Sequence, residues 1–331
     1  MSQSMPNPAQ PANPATPPTE VRLIASSGYP HDVAIAARGC AWLRQHGFHV
    51  GNPDVLARRY LRFGGTDDER LADLHAIGTG APRELTLAVR GGYGIARLLE
   101  RVDFARIAEQ ARAAGTPIVG HSDFTAFQLA YLAATGGVTF AGPMLLADFG
   151  TEVVDPFMWE HFAGVMHDAA YTIGVDAPQA GGQPFSGTVS GTLWGGNMAM
   201  LCSLLGTRFM PAIEGGILFL EDVNEPPYRV ERMLLQLDQA GVLGAQRAIV
   251  LGDFSSYRVT DYDNGYDLPA VVAYLRERLA VPVLTGLPFG HCPRKLTLPV
   301  GGQAQLSARA DGFSLALSGY PVLKAAASAP I

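Results

Sequence analysis

The sequence of 331 residues is 48% hydrophobic and 16% charged, which excludes a chain that is disordered throughout. Its net charge of −6 argues against a nucleic-acid partner, because the phosphate backbone attracts basic surfaces. The length predicts about two domains.

The cysteines and the apolar segments indicate the compartment. Three cysteines, Cys40, Cys202 and Cys292, are too few for a disulfide framework and show no CxxC spacing, so we expect a reducing environment and no metal site. No apolar run reaches the roughly 18–20 residues of a membrane span. The N-terminus also lacks the basic start and apolar core of a secretory signal. These features predict a cytoplasmic protein without a membrane partner.

The first half of the chain predicts a parallel α/β domain. Residues 1–20 contain six prolines and predict a disordered tail. Over 21–168, strand-like and helix-like segments alternate, which predicts parallel βαβ units. The predicted strands are 21–25, 48–51, 84–89 and 116–119, and the predicted helices are 32–45, 66–77, 95–99, 104–114, 124–134 and 155–168.

The pattern changes after residue 168. Glycines and a proline between Gly181 and Gly187 predict a loop-rich linker over 169–187. The remaining residues, 188–331, predict a mixed α/β domain that ends in short antiparallel strands. Its predicted strands are 188–193, 216–222, 248–254, 281–287, 295–299, 304–308 and 313–317, and its predicted helices are 197–205, 228–240 and 268–279.

Ser122 is a candidate nucleophile, because it lies where a predicted strand passes into a predicted helix. Such a turn exposes a serine above the sheet, and free N–H groups at the start of the helix can stabilise an oxyanion. The turn is not G-x-S-x-G, since Phe124 occupies the place of the second glycine. The alternative interpretation is a helix cap, in which Ser122 accepts a hydrogen bond from the amide of Phe124 or Thr125.

A second turn, at residues 90–94, is rich in glycine and follows the predicted strand 84–89. Both turns follow the carboxyl ends of parallel strands, where ligands bind. An amide of this turn is therefore a candidate second oxyanion donor. Phosphate binding by residues 91–94 is an alternative, although G-x-G-x-x-G and a Walker lysine are absent. A tight turn without a ligand is the other alternative.

A serine nucleophile requires a base, and the base requires an acid that orients it. Among eight histidines, His291 follows a predicted strand and a Pro-Phe-Gly turn, which favours a position at a cleft. His121 is adjacent to the serine, and neighbouring side chains diverge. Glu221 ends an apolar strand and is a candidate acid, but the pattern does not separate it from Asp222 and Glu225.

Together these segments resemble the LD-carboxypeptidases of serine peptidase family S66. The resemblance covers about residues 21–324, and Cys292 beside the candidate base departs from the family pattern. The segments that carry the resemblance are residues 90–94 with 97–99, 120–126, 142–144, 191–197, 220–225, 230–235 and 289–291.

The resemblance implies an N-terminal flavodoxin-like parallel sheet domain and a C-terminal mixed α/β domain with a β-barrel-like part. It implies that Ser122 is the nucleophile, Glu221 the acid and His291 the base, in the chain order of the candidates above. It also assigns the oxyanion hole to the backbone amides of Gly92 (or Gly91) and Asp123. The active site is then expected between the two domains.

The implied activity is removal of the terminal D-Ala that follows meso-diaminopimelate in murein tetrapeptides, during cytoplasmic peptidoglycan recycling. The resemblance implies a homodimer that uses no metal or cofactor. A microcin-immunity peptidase acting on peptidyl-nucleotide adducts, a non-enzymatic peptide- or sugar-binding module and a nucleotide-dependent enzyme are alternatives. The candidate substrate contacts in the cleft are Tyr93, Trp194 and Asn197, with a structural role as the alternative for each. Arg229 or Arg232 is a candidate anion anchor, with an exposed helix pair as the alternative.

Overall fold

The computed structural model describes residues 18–80, 84–177 and 185–323. Most of the predicted tail therefore lies outside the described residues. Its last two residues, Thr19 and Glu20, instead belong to the first strand. Within the described ranges, none of the helices combines the length and the apolar composition needed to cross a membrane.

The N-terminal sheet is built on five parallel strands. They are β1 (Thr19–Ile24), β2 (Phe48–Val50), β3 (Leu85–Ala88), β4 (Ile118–Gly120) and β5 (Thr139–Ala141). Their order across the sheet is β2-β1-β3-β4-β5, which is the flavodoxin-like order. Every residue of β3, β4 and β5 is buried, as expected for a parallel sheet covered on both faces. The predicted flavodoxin-like sheet is confirmed.

The helices of this half begin at side-chain caps or, for the helix at Thr125, directly after the turn that carries Ser122. Thr66 and Glu69 form a capping box, and Asp32, Asp103 and Asp155 each accept a hydrogen bond from a backbone amide in the first turn of the helix that follows. The helices are α1 (Val33–Gln45), α2 (Asp67–His75), α3 (Phe104–Ala114), α4 (Thr125–Thr135) and α5 (Pro156–His167).

The predicted helix at 95–99 is wrong. This segment forms two short 3₁₀ turns, Ile95–Arg97 and Leu99–Arg101. The amide of Ile95 donates to the carboxylate of Asp123, so this backbone group is engaged by the neighbouring strand turn. A hydrogen bond to the turn that carries Ser122 therefore helps to fix the conformation of this segment.

The second half of the chain forms a mixed sheet. Its seven strands in the described residues are β6 (Ala170–Asp176), β7 (Gly187–Asn197), β8 (Ile217–Glu221), β9 (Ala248–Leu251), β10 (Val283–Thr285), β12 (Gln303–Arg309) and β13 (Gly312–Ser318). One further strand of this half, β11 (Leu298–Val300), belongs to the first sheet. The order is β10-β9-β8-β7-β12-β13-β6. Strands β7 to β10 are parallel, whereas β7, β12, β13 and β6 pair antiparallel. The helices are α6 (Met198–Ser203), α7 (Pro227–Gln239) and α8 (Leu268–Arg278).

The positions of two strands differ from the predicted domain organisation. β6 lies in the predicted linker, where it forms an edge of the second sheet; residues 178–184 of that linker lie outside the described residues. β11 leaves the second half and pairs antiparallel with β5, with Leu298 opposite Ala141. A segment that follows the predicted base in sequence therefore completes the N-terminal sheet.

The two sheets meet at the carboxyl ends of β4, β7 and β8. The amide of Asn197, at the end of β7, donates to Oγ1 of Thr125 at the start of α4, over 3.1 Å. A Cβ atom on Gly196 would lie 2.8 Å from that same oxygen, so glycine permits the close approach. This contact places the end of β8 beside the turn that carries Ser122.

Candidate active site

The structure brings Ser122, His291 and Glu221 into one hydrogen-bonded series. Nε2 of His291 lies 3.0 Å from Oγ of Ser122, and Nδ1 lies 2.8 Å from Oε2 of Glu221. Because a carboxylate accepts and does not donate, Nδ1 carries the proton and Nε2 accepts from the serine hydroxyl. This is the geometry of a serine–histidine–carboxylate triad.

Ser122 has a left-handed backbone, with φ of +64°. For a residue with a Cβ atom this conformation costs about 1–2 kcal/mol, and such strain is common where a strand turns sharply into a helix to expose a nucleophile. The alternative role as a helix cap is wrong. His121 precedes the 3₁₀ turn Ser122–Phe124, and the amide of Phe124 bonds to the backbone carbonyl of His121.

The glycine turn lies directly against the nucleophile. A Cβ atom on Gly91 would be 2.6 Å from Oγ of Ser122 and 3.3 Å from the amide nitrogen of Asp123, so only glycine leaves this space open. Gly92 has φ of +114°, a conformation that also favours glycine. The space in front of Ser122 is therefore bordered by both turns.

The buried carboxylate of Asp123 ties these turns together. It accepts from Oγ of Ser27 over 2.7 Å and from the amide of Ile95 over 3.1 Å. Burial raises the pKa of Asp123, although both hydrogen bonds oppose this effect. The side chain of Asp123 is thus structural, and its backbone amide nitrogen borders the space beside Gly91.

Among the three candidate acids in the described residues, Glu221 alone contacts His291. Glu221 is fully buried, and its Oε1 accepts from Nδ2 of Asn197 over 3.1 Å. Asp222 instead accepts from the backbone amides of Val223 and Ala199, and burial raises its pKa to about 6. The third acid, Glu225, pairs with Arg229 at 2.5 Å.

The pKa of His291 reflects opposing influences. Burial lowers it, but the hydrogen bond and the negative charge of Glu221 together outweigh burial, so the pKa lies above its ordinary value of 6.5. The positive charge of Lys295 acts in the same direction as burial. Glu221 therefore makes His291 a stronger base than the same buried ring would be alone.

A buried ion pair lies beside the site and escaped sequence reasoning. Nζ of Lys295 is 2.7 Å from Oδ1 of Asp148 and 3.2 Å from Nε2 of His121, with Lys295 and Asp148 almost completely buried. His121 in turn contacts the carbonyl of Gly142 through Nδ1, at 2.8 Å. A signal was present: Lys295 is one of only two lysines and directly precedes the largely apolar segment 296–300.

This ion pair excludes His121 as the base. Lysine donates, so Nε2 of His121 accepts, and its Nδ1 proton is donated to the carbonyl of Gly142. Burial and the charge of Lys295 hold the pKa of His121 well below its ordinary value. Both ring nitrogens of this neutral imidazole are therefore engaged away from Ser122.

A cleft of about 570 Å³ opens in front of Ser122. It is large enough for a small peptide segment, and its rim carries side chains from both halves of the chain. No group of three or more His, Cys, Asp or Glu side chains in the described ranges is arranged to hold a metal ion. Besides Ser122 and His291, the cleft is lined by Arg90, Gly92, His121, Asn224, Cys292 and Lys295, among others.

The predicted cleft roles of Trp194 and Asn197 are wrong. Trp194 is fully buried in β7, and its indole N–H donates to Oε1 of Gln246 over 2.9 Å. Asn197 is also buried, where it holds Glu221 and caps α6 by accepting from the amide of Met200. Both residues lie in the buried last part of β7, so their side chains face protein.

The other predicted substrate contacts also lie outside the cleft. Tyr93 is 42% exposed, and its ring packs beside Phe63 with centroids 6.1 Å apart. Arg229 is paired with Glu225 on α7, and Arg232 is exposed on the same helix. The alternative of an exposed helix pair therefore describes these arginines better than an anion anchor.

Comparison with known proteins points to one family along most of the chain. Residues 21–142 match the model of the LD-carboxypeptidase N-terminal domain, and residues 190–306 match the model of the LD-carboxypeptidase C-terminal domain. A probable murein peptide carboxypeptidase of Bacillus subtilis is 32% identical over 267 residues, which are 80% of this chain and 82% of the relative.

One solved structure and one further relative complete the comparison. The crystal structure of a muramoyltetrapeptide carboxypeptidase from Oxalobacter formigenes has a TM-score of 0.83 and 42% identity, covering 92% of this chain and 100% of that chain. The microcin C7 self-immunity protein MccF of Escherichia coli is 26% identical over 294 residues, 80% of this chain and 83% of the relative. The fold and the two family matches therefore agree.

Proposed function

Because the chain belongs to the LD-carboxypeptidase family, we propose that it is a serine carboxypeptidase that removes the terminal D-Ala from murein tetrapeptides. The scissile bond joins the L-centre of meso-diaminopimelate to D-Ala. The observation that carries this proposal is the hydrogen-bonded series of Ser122, His291 and Glu221 at the cleft. The family resemblance further supports action in cytoplasmic peptidoglycan recycling, as a homodimer without a metal or cofactor.

In the proposed mechanism, Oγ of Ser122 attacks the scissile carbonyl carbon while Nε2 of His291 accepts the hydroxyl proton. Glu221 holds the proton on Nδ1 and stabilises the imidazolium that forms. The backbone amides of Gly92 and Asp123 donate to the oxyanion; loss of one such donor typically costs about 10²–10³ in rate.

The second half of the reaction regenerates the enzyme. His291 gives its proton to the nitrogen of D-Ala, which leaves, and the tripeptide remains bound to Ser122 as an ester. Water then attacks this ester with His291 again as the base, which releases the tripeptide. The proton of Ser122 thus leaves on D-Ala, and the proton that His291 takes from water is returned to Oγ of Ser122 as the ester bond breaks.

The substrate is tested with purified wild-type protein and two peptides. These are L-Ala-γ-D-Glu-meso-diaminopimelate-D-Ala and the same peptide with terminal L-Ala, followed by mass spectrometry. We expect loss of one D-Ala from the first peptide and at least about tenfold slower cleavage of the second, since the wrong configuration displaces the carboxylate. Cleavage of neither peptide would contradict the murein assignment, and turnover of a peptidyl-nucleotide adduct would then favour the MccF-like alternative.

The pH dependence follows from the raised pKa of His291. Only the neutral ring accepts a proton, so kcat/KM is expected to rise with pH through the pKa of His291, with a midpoint above 6.5. The measurement is kcat/KM for the tetrapeptide between about pH 5 and pH 9, in buffers of constant ionic strength. A midpoint below 6.5, or a flat profile, would contradict the role of His291 as a base oriented by Glu221.

A further inference from the structure

The cleft contains a positive charge without a countercharge. Arg90 is half-buried and lines the same cleft as Ser122. No carboxylate among the described residues lies within ion-pair distance of its guanidinium. Lys295, the other non-histidine cation of the cleft, is already neutralised by Asp148. Arg90 is therefore the group of the cleft best suited to bind an anion.

The guanidinium of Arg90 is held in place by hydrogen bonds from one nitrogen, Nη1. Its Nη1 donates to the carbonyl of Tyr29 over 3.3 Å and to Nδ1 of His31 over 2.8 Å. The group also packs on glycine backbone: a Cβ atom on Gly28 would lie 3.3 Å from Nε, and one on Gly92 would lie 3.7 Å from Nη2. The orientation of this cation is thus set before any ligand arrives.

The two other guanidinium nitrogens, which lie beside the backbone of Gly28 and Gly92, are the donors available to a ligand. Nε and Nη2 of Arg90 have no hydrogen-bond acceptor among the described residues. Two parallel N–H groups of a guanidinium match the two oxygens of a carboxylate. Burial, together with the charge of Arg62, lowers the pKa of Arg90, which agrees with a cation that lacks its anion.

We propose that Arg90 binds the terminal carboxylate of the leaving amino acid. This inference rests on the proposed function, since a carboxypeptidase must recognise a free C-terminus. Arg90 and Ser122 line the same cleft, so a carboxylate bound to Arg90 lies in the cleft that holds the nucleophile. In this proposal Arg90 takes the role that was predicted for Arg229 and Arg232 on α7.

The test separates recognition of the carboxylate from catalysis. Wild type and Arg90→Gln are compared on the tetrapeptide with free D-Ala and on the same peptide ending in D-alaninamide, which has no terminal charge. Wild type is expected to prefer the free acid by on the order of 10², because hydrogen bonds to charged groups contribute this much. Arg90→Gln should lose about that factor on the acid and change less than about threefold on the amide.

Two further variants serve as controls for the effect of Arg90→Gln. Arg59→Gln removes an exposed arginine that stacks on Tyr29, close to Arg90 but outside the cleft lining, and should leave the preference for the acid unchanged. Arg90→Lys keeps the charge without the paired N–H edge, so its preference is expected to be intermediate, on the order of tenfold. It also reports on the anchor if Arg90→Gln fails to fold.

The outcomes distinguish this inference from the proposed function. If wild type cleaves the acid and both Arg90 variants keep the wild-type preference, the anchor is overturned and the proposed function stands. If Arg90→Lys loses both peptides equally while remaining folded, Arg90 does not recognise the carboxylate. If wild type cleaves neither peptide, the proposed function fails, and the anchor fails with it.

Discussion

Replacement of Ser122 with Ala is expected to lower kcat/KM for the murein tetrapeptide by about 10⁵- to 10⁶-fold. The variant removes the attacking oxygen, which lies 3.0 Å from Nε2 of His291, and leaves only binding and the oxyanion donors. The measurement is release of D-Ala under steady-state conditions, followed by mass spectrometry. Residual activity within about tenfold of wild type would show that another group is the nucleophile.

Folding is expected to survive this change. Alanine keeps the Cβ atom of Ser122 and meets the same left-handed backbone, so the melting temperature should stay within a few degrees of wild type. The matched control is Ser203→Ala, which removes an exposed hydroxyl that bonds within α6, and it should retain activity within about twofold. Equal losses in both variants would indicate a fault in the preparations.

Replacement of Glu221 with Gln is expected to lower kcat/KM by about 10⁴-fold. Nδ2 of Asn197 donates to Oε1 of Glu221, so the carbonyl oxygen of the glutamine remains on that side. Its NH₂ group then faces Nδ1 of His291 and requires that nitrogen to accept. The proton is displaced to Nε2, which is the wrong tautomer for accepting the proton of Ser122.

The pH profile of the Glu221→Gln variant distinguishes a loss of His291 orientation from a general loss of structure. Since Glu221 raises the pKa of His291, the variant is expected to show its residual activity with a midpoint at lower pH than wild type. The matched control is Glu225→Gln, the acid paired with Arg229, which should stay within about threefold of wild type. An unchanged midpoint would contradict the proposed role of Glu221.

The positions of the central side chains were predictable because each follows an apolar strand or turn. Ser122 comes after β4, Glu221 ends β8 and His291 follows β10, and carboxyl ends of strands collect ligand-binding groups. The strand pattern alone did not separate Glu221 from Asp222; the family resemblance implied Glu221, and the structure places it against His291. The parallel sheet was predictable from the alternation of segments.

Other features depend on contacts that are distant in sequence. The short strand Leu298–Val300 has no pattern that assigns it to β5 of the other sheet. Lys295 and Asp148 meet only in the folded chain, and Trp194 looked like a cleft residue because an aromatic side chain has no fixed direction in a sequence. These features concern partners in the fold, whereas the predicted helix at 95–99 and the predicted linker over 169–187 were errors of element type.

The strand β11 has a consequence for protein synthesis. Ser122 and Glu221 are synthesised before His291 and before the edge strand Leu298–Val300, which come near the end of the described chain. Until then β5 is an unpaired sheet edge, and the three side chains of the proposed mechanism are incomplete. If the proposed mechanism holds, translation products and proteolytic fragments that end before His291 lack the base and are expected to be inactive.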